Sequence, residues 1–146
     1  MTAPNPAKNV VFYADDDPDD IEFLRECFDQ HAHNVQLTTF LTGSSLISHL
    51  HQGILADIPC LILLDVNMPV MDGKETLHLL RQLPSFETVP VILFTTSSLA
   101  ADAEFARKHK AGYLTKPLHY SQMRHIMEQL LEHCPDDLRK RLRKMV

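Results

Sequence analysis

Five consecutive residues, Cys60-Leu61-Ile62-Leu63-Leu64, are apolar, and the sixth is Asp65. A strand with one face in water alternates apolar and polar side chains. A run without any polar position belongs to a strand covered on both faces, which helices on either side of a parallel sheet provide. Val89 to Phe94 is a second such run, and a helical pattern with Leu77, Leu80 and Leu83, ending at Pro84, lies between the two. Strand, helix, strand at this spacing demands a crossover connection and therefore a layered α/β fold.

The rest of the chain repeats the alternation. Val10 to Ala14 reads as a first strand ending abruptly in acid. Asp17 then serves as a helix N-cap with Pro18 at the first helical position, both favoured there, and Ile21, Leu24 and Phe28 follow at helical spacing. Val35 to Phe40 is a second strand, and Thr42-Gly43-Ser44-Ser45 opens a helix striped by Leu46, Ile47 and Leu50. Asp102 to His109 is a weaker fourth helix, and Gly112-Tyr113-Leu114 a brief fifth strand. Met123, Ile126, Met127, Leu130 and Leu131 fall on one face of a fifth helix, a Met-rich stripe read as core and not as a cofactor box. Five βα units predict a doubly wound parallel sheet without internal repeats.

Composition sets limits. A chain of 146 residues is sufficient for one core. No apolar run approaches the roughly 18 residues that cross a bilayer, and Met1 to Asn9 lacks the pattern of a signal peptide, so a cytoplasmic location is expected. Cys27, Cys60 and Cys134 are far apart, with no Cys-x-x-Cys, and are expected to be reduced core-edge thiols. The net charge is −5, yet residues 135–146 hold five basic and two acidic side chains, which leaves −8 on the remainder. So acidic a body repels nucleic acid, and DNA is not an expected partner.

Doubly wound sheets bind ligands beyond the carboxyl ends of their strands. The residues there are Asp15 and Asp16, Asp65, Thr95 and Lys116. Carboxylates from two strands suit a hard divalent cation, Mg²⁺ above all, and a metal between Asp16 and Asp65 relieves their repulsion. Lysine supplies a point charge for phosphate oxygens, and the threonine hydroxyl donates a further hydrogen bond. Metal, lysine and hydroxyl around one carboxylate form a set that stabilises phosphoryl charge while Asp65 attacks.

Four segments in order then carry a resemblance: Asp15-Asp16; Leu64-Asp65-Val66-Asn67-Met68-Pro69-Val70-Met71-Asp72-Gly73; Pro90-Val91-Ile92-Leu93-Phe94-Thr95-Thr96; and Tyr113-Leu114-Thr115-Lys116-Pro117. The chain resembles the receiver domain of bacterial two-component response regulators over about residues 8–134. The resemblance implies a flavodoxin-like sheet in the order 2-1-3-4-5, with residues 135–146 as a basic, helical extension. It implies a single-domain regulator that takes a phosphoryl group on Asp65 from a histidine kinase or a phosphotransfer protein. Asp16 and Asp65 would ligate Mg²⁺ through side chains, Asn67 through its backbone carbonyl and Asp15 through water; Mn²⁺ or Ca²⁺ could substitute. Thr95 would turn towards the acyl phosphate with Tyr113 following, beside the small Thr96, and Lys116 would pair with the phosphoryl group. The Lys116–Pro117 peptide is expected to be cis. Asn67 stands where the family tunes phosphoryl lifetime.

Asp17, Asp19, Asp20 and Glu22 are read as a solvated helix start suiting the macrodipole. His49 and His51, two apart on a helix, do not share a face; His31 and His33 could chelate but are read as solvated. In the segment Asp136 to Val146, Leu138, Leu142 and Met145 line one side, so it is either a partner- or dimer-binding extension or a fraying end. Output is expected through protein contact around Tyr113, the fourth helix, fifth strand and fifth helix, a face that would also serve a homodimer. The regulator would be a diffusible relay, or a partner of a sensor kinase such as a photoreceptor kinase.

Two rivals remain in view. An aspartate-nucleophile phosphatase of the haloacid-dehalogenase type needs a second acid where Asn67 stands, and Asn67 cannot protonate a leaving group. A phosphorylation-independent adaptor would be signalled by loss of the acceptor or lysine, and both are present. With only Gly43, Gly53, Gly73 and Gly112, no glycine-rich phosphate loop exists.

Overall fold

The computed structural model describes residues 9–31, 35–52, 58–117, 119–134, 136 and 139–140. Strands and helices alternate as β1 (Asn9–Ala14), α1 (Pro18–His31), β2 (Val35–Phe40), α2 (Gly43–His51), β3 (Leu61–Leu64), α3 (Gly73–Gln82), β4 (Val91–Thr95), α4 (Ala100–Lys108), β5 (Gly112–Thr115) and α5 (Met123–Glu132). The strands form one parallel sheet in the order β2-β1-β3-β4-β5.

The all-apolar runs occupy the places that their composition demands. Every residue of β3 and β4 is buried. Side chains alternate across the sheet, so each strand feeds two cores. Val11, Tyr13, Leu61, Leu63, Ile92 and Phe94 meet Leu24 and Phe28 of α1 and Ile126, Met127 and Leu130 of α5. Phe12, Ala14, Ile62, Leu64, Val91 and Leu93 meet Leu46 of α2, Leu77 and Leu80 of α3 and Ala106 of α4. Each fully buried Leu or Ile contributes about 1.5–3 kcal/mol of transfer free energy. Ile126, Met127, Leu130 and Leu131 of the α5 stripe are core, as their spacing predicts, and the side chain of Met123 lies outside the described residues.

Boundaries differ from the sequence expectation by one or two residues. β4 begins after Pro90, whose carbonyl still accepts from Ile62 N at 2.9 Å although its nitrogen has no hydrogen to donate. α4 starts at Ala100 and not at Asp102, after Leu99, which gives no side-chain cap. Thr42 caps α2 by accepting from Ser45 N at 3.0 Å, and Asp72 caps α3 by accepting from Glu75 N at 2.8 Å. Asp17 accepts from Asp19 N at 2.9 Å, the cap its place before Pro18 predicts.

Of the expected C-terminal helix only Asp136, Arg139 and Lys140 are described; they are helical, and Arg139 pairs with Asp136. Leu138, Leu142 and Met145 lie outside the described residues, as do Gly53, His33 and the side chain of His31. Cys27 and Cys134 are buried and Cys60 is half-buried. Among the described residues no helix is long and apolar enough to cross a membrane.

Candidate functional site

Three side chains reach the carboxyl edge of the sheet on the same face, because each follows its strand at an even offset from a core residue of that face. Asp15 is two beyond Tyr13, Asp65 two beyond Leu63 and Lys116 two beyond Leu114. The backbone of each is pinned by one further ladder bond: Asp15 N to Phe40 O at 2.9 Å, Asp65 N to Ala14 O at 3.0 Å and Lys116 N to Thr95 O at 2.7 Å. Gly73 completes the floor. A Cβ there would stand 2.2 Å from the Asp65 carbonyl oxygen, so only glycine lets α3 start so close to the end of β3. Between them Val70 has φ 68°, and Met71 N returns to Pro69 O at 2.8 Å, a tight, strained turn that leaves Val70 in solvent.

Asp15, Asp65, Thr95 and Lys116 are all buried, whereas Asp16 is exposed. Lys116 Nζ lies 2.6 Å from Asp15 Oδ2, 2.8 Å from Asp20 Oδ2 and 3.3 Å from Asp65 Oδ2. Asp15 Oδ2 also accepts from the Tyr13 hydroxyl, and Asp15 Oδ1 accepts from Asp17 N at 2.9 Å. Asn67 N approaches Asp65 Oδ1 at 3.4 Å. Burial pushes the Asp65 carboxyl above the ordinary range; the Asp15 charge adds to this and the Lys116 ammonium opposes it. Burial works against the Lys116 charge too, but its hydrogen bonds to Asp15 and Asp20 outweigh that and hold the ammonium well above its usual range.

Carboxylate oxygens of Asp15, Asp16 and Asp65 lie within 4.8 Å of one another. An all-oxygen set of three acids with one exposed member suits a hard, partly hydrated divalent cation. The donor set therefore fits the metal that the sequence implies, and the ammonium of Lys116 supplies the compensating charge here.

Thr95 and Tyr113 stand apart from this trio. Thr95 is two beyond Leu93, on the opposite face, and its Oγ1 accepts from Ser97 N at 3.2 Å. The Tyr113 hydroxyl donates to the carbonyl of Ser97. Ser97 Oγ in turn donates to Asp102 Oδ2 at 2.8 Å, and Lys74 Nζ reaches Asp102 Oδ1 at 2.6 Å. The two expected switch residues thus share one loop, tied through Asp102 to α3.

The Lys116–Pro117 bond is trans, for no cis peptide bond occurs among the described residues, and the expectation of cis is corrected. Trans is the lower state even before proline, by about 0.5–1 kcal/mol. With it, the Lys116 ammonium lies among the three acids. Two members escaped sequence reasoning. Asp20, read as solvated, bonds Lys116 from the first turn of α1, and no local signal sets it apart from its acidic neighbours. Tyr13 reads only as a strand residue; its same-face offset of two from Asp15 was the available signal.

The model of the response regulator receiver domain matches residues 11–128. The chain belongs to that family. Among receiver-domain relatives, response regulator Rcp1 of Synechocystis sp. is 32% identical over 116 residues, covering 77% of this chain and 78% of Rcp1. A 14.6 kDa protein of Leptolyngbya boryana is 31% identical over 132 residues, covering 90% of this chain and 96% of its own. The phosphorylated cyanobacterial phytochrome response regulator RcpA superposes with a TM-score of 0.80 at 27% identity, over 90% of this chain and 96% of RcpA. The Mn²⁺-bound form of Rcp1 superposes at 0.74 and 27%, over 85% and 95%.

Proposed function

We propose that this receiver domain is a stand-alone response regulator whose Asp65 accepts a phosphoryl group from a histidine kinase or phosphotransfer protein, with Mg²⁺ bound. The observation that carries the reading is the 3.3 Å approach of Lys116 Nζ to Asp65 Oδ2 inside a three-carboxylate cluster. In the transfer, an Asp65 oxygen forms the new O–P bond while the P–N bond to the donor imidazole breaks. The imidazole leaves with that electron pair and takes up a proton. Bound divalent metal would neutralise the phosphoryl oxygens, held by Asp16, Asp65 and the Asn67 carbonyl, with Asp15 acting through water. Lys116 exchanges its bonds to Asp15 and Asp20 for the new phosphoryl oxygens. Carboxylate attack demands the ionised acid, and the Lys116 ammonium opposes the pull of burial on Asp65.

Phosphorylation then acts as a two-state bias. Contacts of the acyl phosphate to Thr95 and Lys116 exist in one arrangement only, and so shift its population. Thr95 would leave Ser97 N for the phosphoryl group, and Tyr113 would follow through the Ser97 loop. The output face is α4, β5 and α5, for a downstream protein or a second copy, in the cytoplasm. The likeness to RcpA, a phytochrome response regulator, supports the response-regulator reading and favours a photoreceptor kinase as donor.

The site of modification is tested by treating the protein with phosphoramidate and Mg²⁺, then reducing with borohydride, which converts an aspartyl phosphate to homoserine. Peptide mapping should place homoserine at residue 65 alone. Homoserine elsewhere, or none, sinks the assignment of Asp65.

A further inference from the structure

Tyr13 is wholly buried on β1, with its ring 6.2 Å from that of Phe94 and the apolar chains of α1 and α5 around it. Nothing in that core calls for a hydroxyl, and phenylalanine would fill nearly the same space. A buried hydroxyl is unfavourable unless it is bonded, and this one has a single purpose: it donates to Asp15 Oδ2.

Asp15 is itself wholly buried and takes three donors: Tyr13 and Lys116 on Oδ2, and Asp17 N on Oδ1. They are not equivalent. Lys116 is also held by Asp20 and lies near Asp65, so it is the donor that must leave when a phosphoryl group arrives. Tyr13 and Asp17 N remain. The tyrosine is stiff, with two side-chain torsions fixed by packing, and it comes from the same strand as the carboxylate that it holds. Groups hydrogen-bonded to metal-binding side chains fix their orientation, and losing one typically lowers metal affinity about 10–100-fold.

We propose that Tyr13 is a positioning residue of the cation site: its hydroxyl aims the Asp15 carboxylate and thereby sets the affinity for the divalent ion. The inference rests on the metal-dependent reading above and adds a residue that this reading does not contain.

The test is Mn²⁺ binding to the full chain, followed by electron paramagnetic resonance of the unbound ion, for wild type, Tyr13→Phe, Asp15→Ala and the double variant. Tyr13→Phe should raise the dissociation constant about 10–100-fold. In the Asp15→Ala background the same substitution should change it less than about 2-fold, since the hydroxyl then has no side-chain oxygen to aim. Phosphorylation by acetyl phosphate should be slowed at low Mg²⁺ and return to the wild-type rate at saturation, a split that a loosened core would not give. Equal Mn²⁺ affinity of wild type and Tyr13→Phe overturns the proposal. An undiminished effect in the Asp15→Ala background also overturns it, because Tyr13 would then act through the fold at large. Wild type that binds no divalent ion overturns the metal reading itself, and the proposal with it.

Discussion

At the scale of single residues, the site is a problem in charge. Asp15 and Asp65 are buried acids that face one ammonium, and Lys116 is what offsets their charge without metal. Removing one partner of a buried charge cluster typically costs about 3–5 kcal/mol. Lys116→Met should therefore lower the stability of the metal-free protein by about 3 kcal/mol, measured by urea denaturation. The pH dependence follows from Asp65. Its folded pKa lies above the unfolded value, so the proton that it holds when folded favours folding at low pH. That contribution fades as pH rises through the folded pKa. Without Lys116 the rise is larger, so the deficit of Lys116→Met should shrink as pH falls and the buried carboxyl takes up its proton. A deficit that stays constant from pH 8 to pH 4.5 would contradict this account. Asp65 and Lys116 were legible because each directly follows a strand-forming run. Asp20 was not: a helix start rich in acid looks the same whether its members are solvated or, as here, one of them turns inward to a lysine 96 residues away.

At the scale of elements, the pattern of apolar runs located all five strands, and the errors lie where local rules yield to packing. The start of α4 is the plainest case. The sequence pattern begins the helix at Asp102, but Asp102 sits in the first turn of a helix that starts at Ala100, buried and bonded to Lys74 of α3 and to Ser97. Arg81 is a second case: its guanidinium donates to the carbonyls of Phe86, Val89, His109 and Lys110, joining the end of α3 to the end of α4. Neither partner set can be read locally, since the carbonyls and the lysine come together only once the sheet has formed. The lysine hydrogen bond at Asp102 holds that carboxyl below the ordinary range. Its stabilisation is therefore present above the unfolded pKa, about 3.9, and lost as pH falls through the folded value. Asp102→Asn should cost about 1–3 kcal/mol near neutral pH, with the difference from wild type diminishing below about pH 4. Thermal unfolding across pH 2.5–7 measures this. A variant as stable as wild type at pH 7 would show that the Ser97 loop is not tied down through Asp102.

At the scale of the whole molecule, the parallel sheet explains why a chain with a net charge of −5 concentrates acid at one edge. The order β2-β1-β3-β4-β5 puts β1 and β3 side by side at the centre, so Asp15, Asp16 and Asp65 meet at their shared carboxyl end although 49 residues separate Asp16 from Asp65. Sequence order alone separates them; topology unites them. The arrangement of the switch was less legible. Alternation along β4 sends Thr95 to the face opposite the acids, and its hydroxyl accepts from Ser97 N within its own loop, so in the proposed switch that loop would have to rearrange. The Lys116–Pro117 bond, expected cis, is trans. All of this turns on Asp65 as a metal-dependent phosphoryl acceptor. The most direct measurement is the intact mass of the protein after incubation with acetyl phosphate and Mg²⁺, beside an EDTA control and the variant Asp65→Asn. A gain of one phosphoryl mass that disappears with EDTA and with the variant is the predicted result. A wild-type protein that gains nothing from acetyl phosphate or from a phosphorylated kinase, or one that gains the group equally without metal or without Asp65, would contradict the account and leave a phosphorylation-independent adaptor in its place.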